Sequence, residues 1–351
     1  MGTGDMKRRP SEPSARQPAS ITSVAERAGV SISTVSRVIN GVEKRASDAT
    51  ARRVMESVAA LGYRPQSAGR ALRQGASRIV GVLVANLGNP AMAAIAASIE
   101  AALRDAGFVM ALCDTHERTE IQDEYLAEME AQLARGIVMV VAVPSPKLDA
   151  MRAARWPLVF VNRRDPGAAR SAFVGIDDYA AGCDLAGHVL ARSPADPPAV
   201  IHASLAFSAG ALRLRGVQDR LAEAGFKRSQ IEKRTANTPV HLEIGYRAMG
   251  ELLALAPRPR SVVCLSDLLA YGAYRRACEA GLRVPDDVAL YAFDDNPLND
   301  WIAPWLNAVH LPYAHFGPAV VASLRELLGA KRATQRLLPH EVVLRVQRPP
   351  G

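Results

Sequence analysis

The residues best suited to chemistry stand close together near the amino terminus, in the segment SITSVAERAGVSISTVSRVIN, residues 20–40. At helical spacing, the second half of this segment places small polar groups and one arginine on a single side. These residues are Ser33, Ser36, Arg37 and Asn40. Hydroxyls bind phosphate oxygens, and a guanidinium can donate to O6 and N7 of guanine together. The pattern predicts a surface that reads the major groove of double-stranded DNA.

Two short helices are needed to position that surface. Ser20 and Ser31 are good N-cap residues, and Gly29 suits the left-handed conformation that ends many helices. One apolar face on each helix is formed by Ile21, Val24, Ala25, Ala28, Val35, Val38 and Ile39. Each helix is too short to be stable alone, so both must pack. A helix-turn-helix fits, and the alternative is a helical hairpin that only packs on another domain.

A third helix and the charge distribution support the DNA-binding interpretation. Ser47 caps a pattern that runs to about Leu61, with Ala51, Val54, Val58 and Leu61 as its buried stripe, and Gly62 closes it. Residues 1–78 carry 14 Lys or Arg against 6 Asp or Glu, whereas the remainder carries 29 of each. The whole excess of +8 therefore lies around the helices, as in a module that binds a polyanion.

From Ile79 onward, strands alternate with helices. Eight apolar runs predict strands: IVGVLVA, FVMALCD, IVMVVAV, PLVFVN, AFVGID, AVIHAS, SVVCLS and VALYAFDD. This alternation is typical of doubly wound, parallel α/β sheets, and its length favours two similar lobes. Ligands of such sheets bind beyond the carboxyl ends of the strands. The corresponding loops are Asn86–Pro90, Asn162–Arg164, Asp177–Tyr179, Ser266–Asp267 and Asp294–Asn296.

The sequence lacks the features that would indicate a membrane protein, a secreted protein or an enzyme. No stretch approaches the roughly 20 apolar residues of a membrane span, and no signal peptide opens the chain, so we expect a cytoplasmic protein. We find no GxSxG elbow, P-loop or dinucleotide fingerprint, and we expect no enzyme, cofactor or bound metal. The four cysteines are scattered, without metal-like spacing, and we expect reduced core thiols.

The sequence resembles the LacI/GalR family of bacterial transcription regulators over essentially its whole length from Ser20. The stretches that carry the resemblance are VAERAGVSISTVSRVIN, LGYRP, RALR, NP after the first strand, LSDLLAYGA, GLRVPDDVAL and FDD. Their common order and spacing is specific, whereas any single stretch is weak. The resemblance implies a homodimer on a near-palindromic operator, a repressor of catabolic, carbohydrate-type genes and a two-lobed core like a periplasmic binding protein.

The resemblance also implies roles for individual residues that touch DNA. Residues matching Ile32, Ser33 and Arg37 read base edges, with Arg37 the best candidate for a guanine. Phosphate or positioning contacts are implied for Ser20, Ser31, Thr34, Ser36 and Asn40. Residues 66–78 match a hinge helix in the minor groove, where Leu72 would wedge into the central base step and kink the duplex.

A small-molecule effector, sugar-like in kind, is implied between the lobes. The matching positions are Met92, Asn162, Arg163, Ser266, Asp267 and Asp294. Carboxylates suit sugar hydroxyls, since each can accept two hydrogen bonds, although capping of a following helix is the structural alternative. Met92 and Ala211 stand where the family often has an aromatic residue and an arginine, which leaves a non-sugar effector open.

The expected domain division follows from these elements. Residues 1–19 form a disordered tail, 20–65 the helix-turn-helix domain, 66–78 the hinge and 79–351 the core. We expect one lobe at about 79–176 with 308–335, and the other at about 177–307 with 336–351. The alternatives to a repressor are an activator of the same fold or, from another class, a stand-alone small-molecule binding protein.

Overall fold

The computed structural model describes residues 20–39, 47–63, 77–167, 170–203, 205, 208–237 and 241–345. It divides the chain into two compact units, Met1–Gly75 and Ala76–Gly351. The predicted tail, Asn40 and most of the predicted hinge, including Leu72, lie outside the described residues. The predictions for them therefore remain predictions.

The first unit contains three short helices, α1 Ile21–Ala28, α2 Ile32–Ile39 and α3 Asp48–Leu61. Ser20 caps α1 by accepting a hydrogen bond from the Ser23 backbone N–H, and Gly29 ends it at φ 62°. Ser47 and Gly62 bound α3 in the same way. The small core, fully or almost fully buried, consists of Val24, Ala25, Ala28, Val35 and Val54. The predicted helix boundaries are confirmed.

Two six-stranded sheets organise the described part of the second unit, in the orders β11-β5-β4-β3-β1-β2 and β12-β10-β9-β8-β6-β7. Every described pairing is parallel except that of β10 with β12. The strands are β1 Ile79–Val84, β2 Val109–Asp114, β3 Gly136–Val140, β4 Leu158–Val161, β5 Ala172–Gly175, β6 Ala199–His202, β7 Thr235–Asn237, β8 Ser261–Cys264, β9 Ala289–Asp294, β10 Leu306–His310, β11 Gln335–Leu337 and β12 Glu341–Val343. The predicted α/β class with two lobes is confirmed.

Helices connect the strands of both sheets. They are α4 Pro90–Asp105, α5 Thr119–Ala131, α6 Pro146–Ala153, α7 Asp178–Arg192, α8 Ser208–Glu223, α9 Arg228–Lys233, α10 His241–Leu253, α11 Asp267–Glu279, α12 Asn299–Ile302 and α13 Tyr313–Leu328. Central strands are buried on both faces, as their continuous apolar sequences require. Among the described residues, no helix is both long enough and apolar enough to cross a membrane.

The chain passes between the lobes three times. Two of these crossings lie at other residues than the sequence analysis expected. Strand β10 lies wholly in the second sheet, so the chain leaves that lobe after His310 rather than at residue 308. Strand β11 returns to the first sheet through Leu337, two residues beyond the expected boundary. The apolar pattern did not reveal β7, β10, β11 and β12. Strands β7, β11 and β12 have three residues each, and β10 carries Asn307 and His310 among its apolar residues.

The cysteines only partly follow their prediction. All four lie within the described residues, and none forms a disulfide. Cys264 is buried, Cys113 and Cys183 are intermediate, and Cys278 is exposed. Cys278 is therefore not a core thiol, because it lies at the end of α11, where the adjacent Glu279 is exposed as well.

Candidate functional site

The predicted DNA-reading face lies on the outside of α2. Val35 is fully buried beneath this helix, whereas Ser31, Ile32 and Ser33 are exposed. Ile32 has 48% of its surface exposed although it is apolar. Burial of Val35 holds α2 against the other two helices, and the opposite face remains accessible for a groove.

Hydrogen bonds among neighbouring side chains order this face. Ser31 Oγ accepts from the Thr34 backbone N–H at 3.2 Å and lies 2.8 Å from Ser33 Oγ. Arg37 donates to the backbone carbonyl and to the hydroxyl of Ser33, both at 3.2 Å. The Arg37 guanidinium is thus held along the face that carries the serines. Ser20 and Ser31 act as caps in this structure, which does not prevent a phosphate contact.

A second polar cluster lies at the carboxyl ends of the second sheet, around Arg213. Its Nε donates to Asp178 at 2.8 Å, and its Nη1 donates to Asp294 at 3.0 Å and to the Leu265 carbonyl at 3.0 Å. Arg213 and both carboxylates are buried. The guanidinium also lies over the Phe293 ring, 4.8 Å from its centroid.

Close packing of α7 against α8 brings Arg213 to Asp178. A Cβ on Gly216 would lie 2.2 Å from the Tyr179 carbonyl oxygen, and one on Gly182 would lie 2.4 Å from the Arg213 carbonyl oxygen. Only glycine at both positions allows the two backbones to approach this closely. The glycines therefore set the position of the arginine relative to the carboxylates.

The electrostatics of this cluster leave one donor unused. Burial alone would lower the pKa of Arg213, but the carboxylates of Asp294 and Asp178 more than offset it, so the pKa rises and the guanidinium stays charged. Its Nη2 is buried and has no hydrogen-bond partner among the described residues. A buried donor without a partner costs free energy, unless a bound molecule or water satisfies it.

Asp267 lies beside this group, and no cation pairs with it in the described part of the chain. Burial, and then the charge of Asp294, raises the pKa of Asp267 to about 7. Its Oδ2 accepts from the backbone and the side chain of Asn296, at 2.7 and 2.6 Å. Its Oδ1 is buried without a hydrogen bond from any described residue, although the Asn299 amide is close enough to oppose the rise in pKa.

The other lobe contributes Arg163, which follows β4. Burial lowers the pKa of Arg163, and the charges of Glu117, Arg213 and Asp294 all act on it. The backbone at the end of β9 is also unusual, since Asp294 has φ 93° and Asp295 has φ 48°. Tyr313 lies at the start of α13, where the chain has passed to the first lobe. Its hydroxyl donates to the Asp294 carbonyl at 2.8 Å and so stabilises the turn at the end of β9.

Three of the six predicted effector residues therefore come together, namely Arg163, Asp267 and Asp294. Asn162 has φ 64° and donates its backbone N–H to the Val174 carbonyl. Ser266 is the N-cap residue of α11 without a side-chain capping bond. Met92 is only 7% exposed and belongs to the hydrophobic core. For all six residues, effector contact remains a prediction.

Arg213, Asp178 and Tyr313 were not identified from the sequence as site residues. Arg213 lies inside helix α8, where no local sequence pattern distinguishes it from other helical residues. Its partner Asp294 is 81 positions away. A sequence signal nevertheless existed: Asp178 belongs to one of the loops that follow strands, and Gly182 and Gly216 mark the close helix pair. Within the described residues, no group of three or more His, Cys, Asp or Glu side chains could hold a metal ion.

Comparison with known proteins places both units in one family. Residues 20–66 match the model described as bacterial regulatory proteins, lacI family, and residues 199–346 match a periplasmic binding protein-like domain. The HTH-type transcriptional repressor PurR of Edwardsiella ictaluri is 31% identical over 318 residues, which are 90% of this chain and 92% of that protein.

Solved structures show the same architecture. The transcriptional regulator CelR in complex with cellobiose is 25% identical, with a TM-score of 0.70, over 93% of this chain and 98% of that one. The Lac repressor dimer bound to operator and the anti-inducer ONPF is 23% identical, with a TM-score of 0.79, over 93% of this chain and 98% of that one. Since similarity to PurR extends across helices and core alike, this chain belongs to the lacI family of bacterial regulatory proteins and is a DNA-binding transcriptional regulator.

Proposed function

We propose that this regulator is a cytoplasmic repressor, not an enzyme, that binds a near-palindromic operator as a homodimer and responds to a small polar effector bound around Arg213. The observation that carries the effector proposal is a pair of buried atoms without a hydrogen-bond partner among the described residues, the donor Arg213 Nη2 and the acceptor Asp267 Oδ1. The repressor relatives support repression over activation. A ligand that accepts at Arg213 and donates to Asp267 would satisfy both atoms.

The effector in this proposal is rich in hydroxyl groups and sugar-like. A hydroxyl both donates and accepts, so adjacent hydroxyls can pair with a guanidinium and a carboxyl at the same time. Arg163 of the first lobe would contact the same molecule. A ligand held from both lobes changes their relative angle only if it binds one arrangement better than the other. The complex of the CelR relative with cellobiose supports this class.

For DNA, we propose that α2 enters the major groove and that Arg37 reads a guanine there. Ile32 would contact a thymine methyl, Ser33 a base edge, and the remaining hydroxyls the phosphates. The proposed hinge, with Leu72 as the wedge in the minor groove, completes the contact. Asn40 and Leu72 are assigned by family resemblance alone.

The homodimer proposal rests on two exposed apolar surfaces in the second unit. One is the segment Leu298–Ile302, hereafter the α12 patch, in which Leu298, Trp301 and Ile302 are 48%, 84% and 59% exposed. The other is the edge strand β2, where Val109 and Leu112 are 53% and 42% exposed. Apolar side chains exposed on a surface segment and along the edge strand of a sheet are typical of protein–protein contacts.

The DNA-reading proposal is tested by Arg37→Ala. Loss of a bidentate contact to guanine should weaken operator binding by about 10- to 100-fold and leave binding to random DNA nearly unchanged. Operators are first selected from a random library with the parent protein, and affinities are then measured by fluorescence anisotropy at fixed salt. Arg27→Ala, at an exposed position of α1, is the matched control. Equal losses on both DNAs would make Arg37 a phosphate contact.

The effector proposal is tested by a screen of neutral mono- and disaccharides against purine bases, with release from operator as the readout. Asp294→Asn keeps an acceptor for Arg213 but removes its charge, so we expect operator binding to persist and the response to disappear. Hits confined to purine bases would contradict the sugar-like class. An unchanged response in Asp294→Asn would remove Asp294 from the site.

A further inference from the structure

A continuous line of hydrogen bonds leads from Asp267 to the helix that carries the α12 patch. Asn296 donates from Nδ2 to Asp267 Oδ2, and the same nitrogen lies 2.6 Å from Tyr271 Oη. That hydroxyl donates in turn to Asn299 Oδ1 at 2.5 Å. Asn299 is the first residue of α12, so the line joins the proposed effector site to the exposed surface.

The direction of each hydrogen bond in this line is determined by its neighbours. The two protons of Asn296 Nδ2 go to Asp267 and to Tyr271, so the single hydroxyl proton of Tyr271 goes to Asn299. Asn296 and Asn299 are 1% and 0% exposed, and water cannot replace a lost partner without rearrangement. A shift at one end therefore disturbs the other end, instead of being absorbed by solvent.

The far end of the line is anchored. Asn299 Nδ2 donates to Asp295 Oδ1 at 3.0 Å, and the same carboxylate accepts from Arg345 at 2.8 Å and pairs with His310 at 3.1 Å. Asn296 also holds the beginning of the patch, because its Oδ1 accepts from the Leu298 backbone N–H at 3.0 Å. The α12 patch thus depends on two amides, both of which contact Tyr271.

The Tyr271 ring touches the patch region through packing as well. It meets Trp305 edge-on at 6.4 Å, and Trp305 stacks on Tyr274 at 4.0 Å with an interplanar angle of 6°. Tyr274 is thus in the same aromatic group, but its hydroxyl interacts with Cys278 and takes no part in the line to Asp267. Substitutions at Tyr271 and Tyr274 can therefore distinguish the effect of the Tyr271 hydroxyl from the effect of aromatic packing.

We infer that Tyr271 is a positioning residue whose hydroxyl couples Asp267 to the α12 patch, so that a molecule bound at Asp267 alters the surface around Trp301. The inference rests on the proposed function for the roles of Asp267 and the patch. In the assembled regulator, effector binding and subunit contact would then influence each other reciprocally, as linked equilibria must.

The experiment replaces the unknown effector by a substitution at Asp267 and observes Trp301 directly. The protein contains three tryptophans, so 5-fluorotryptophan labelling gives three fluorine resonances, assigned by single Trp→Phe variants. Asp267→Asn is introduced into the parent, into Tyr271→Phe and into Tyr274→Phe. We expect it to shift the Trp301 resonance in the parent and in Tyr274→Phe, and to shift it at least about twofold less in Tyr271→Phe, as for coupled sites in a double-mutant cycle.

Two results would overturn the inference. Equal shifts in all three backgrounds would show that the hydroxyl of Tyr271 carries no coupling, and an equal loss in Tyr274→Phe would assign it to ring packing. If Tyr271→Phe fails to fold, as shown by its Trp156 and Trp305 resonances, Asn299→Ala breaks the next bond of the line and takes its place. Sedimentation of the same samples tests the dimer separately, so a monomeric protein would contradict the proposed function without affecting the Trp301 result.

Discussion

The α1–α3 unit and the Arg213 cluster are both proposed binding sites, yet different kinds of hydrogen bond order them. The side-chain bonds that order α2 join residues two to four positions apart, on an exposed face. Those of Arg213 join residues 35, 52 and 81 positions apart, in the interior. The first site depends on local helix formation, whereas the second exists only when the whole second lobe has folded.

This difference predicts how each site responds to damage. A half-exposed arginine that loses its partner is solvated by water, so a change at Arg37 affects binding far more than stability. A buried charge that loses its partner has no such compensation, and a change that leaves a charge of the Arg213 cluster unpaired affects stability first. The contrast can be tested with matched substitutions, beginning where the expected effect is largest.

Arg213→Met should have the largest effect. The substitution keeps the apolar length of the side chain but leaves Asp178 and Asp294 buried without their cation, which typically costs about 3–5 kcal/mol of unfolding free energy. Urea unfolding of the full chain, followed by circular dichroism, measures the loss. The loss should diminish at acidic pH, because burial raises the pKa of Asp178 and its protonation removes one of the unpaired charges.

Arg215→Met is the matched control, because it lies two residues along the same helix. Its side chain is 70% exposed and pairs with Asp219 at 3.5 Å. Surface ion pairs contribute about 0–1 kcal/mol, so we expect a small change. Similar losses for Arg213→Met and Arg215→Met would contradict the view that burial determines the response.

Asp267→Asn should change the pH dependence of stability by an intermediate amount. Because the pKa of Asp267 is about 7 in the folded chain and near its ordinary value of 3.8 when unfolded, the folded state binds the extra proton between these pH values. The parent therefore loses stability as pH rises from about 4 to about 7, by roughly 3 kcal/mol if the other groups are unchanged. The variant, which cannot ionise, should lack this loss.

The measurement is urea unfolding of parent and variant at several pH values across that range. Asn can still accept from Asn296, so the hydrogen bonds of the turn are preserved in the variant. Asp184→Asn provides a control for a carboxylate that is largely exposed, at 60%. Parallel pH profiles for parent and Asp267→Asn would mean that the Asp267 carboxyl titrates normally.

The same contrast explains how far the sequence could lead. Caps, glycine stops and apolar spacing identified α1, α2 and α3 closely, because each signal lies within a few residues of its effect. Long apolar runs likewise identified the buried strands. Arg213 gave no such signal, since its position in the site depends on the approach of α7 to α8 and on the turn at Asp294. Tyr271 could not be identified from the sequence either, because its proposed role depends on contacts of its hydroxyl with Asn296 and Asn299 that only the fold creates.

The smallest expected effect belongs to Ser20→Ala, which tests the local side of the contrast. Ser20 accepts from the Ser23 N–H at 3.1 Å and donates its own backbone N–H to Ser23 Oγ at 3.0 Å. Loss of the Ser20 hydroxyl as acceptor, with the backbone bond to Ser23 Oγ kept, should destabilise α1 by about 1 kcal/mol. Without DNA present, amide hydrogen exchange over residues 24–28 should accelerate about fivefold, while exchange in the sheets of the second unit stays unchanged. Thr22→Ala, at an exposed position one residue into the helix, should have little effect on the same amides. If slow exchange in the second unit also collapsed, the stability of α1 would not be local, and the two sites would not differ in the way that their hydrogen bonds indicate.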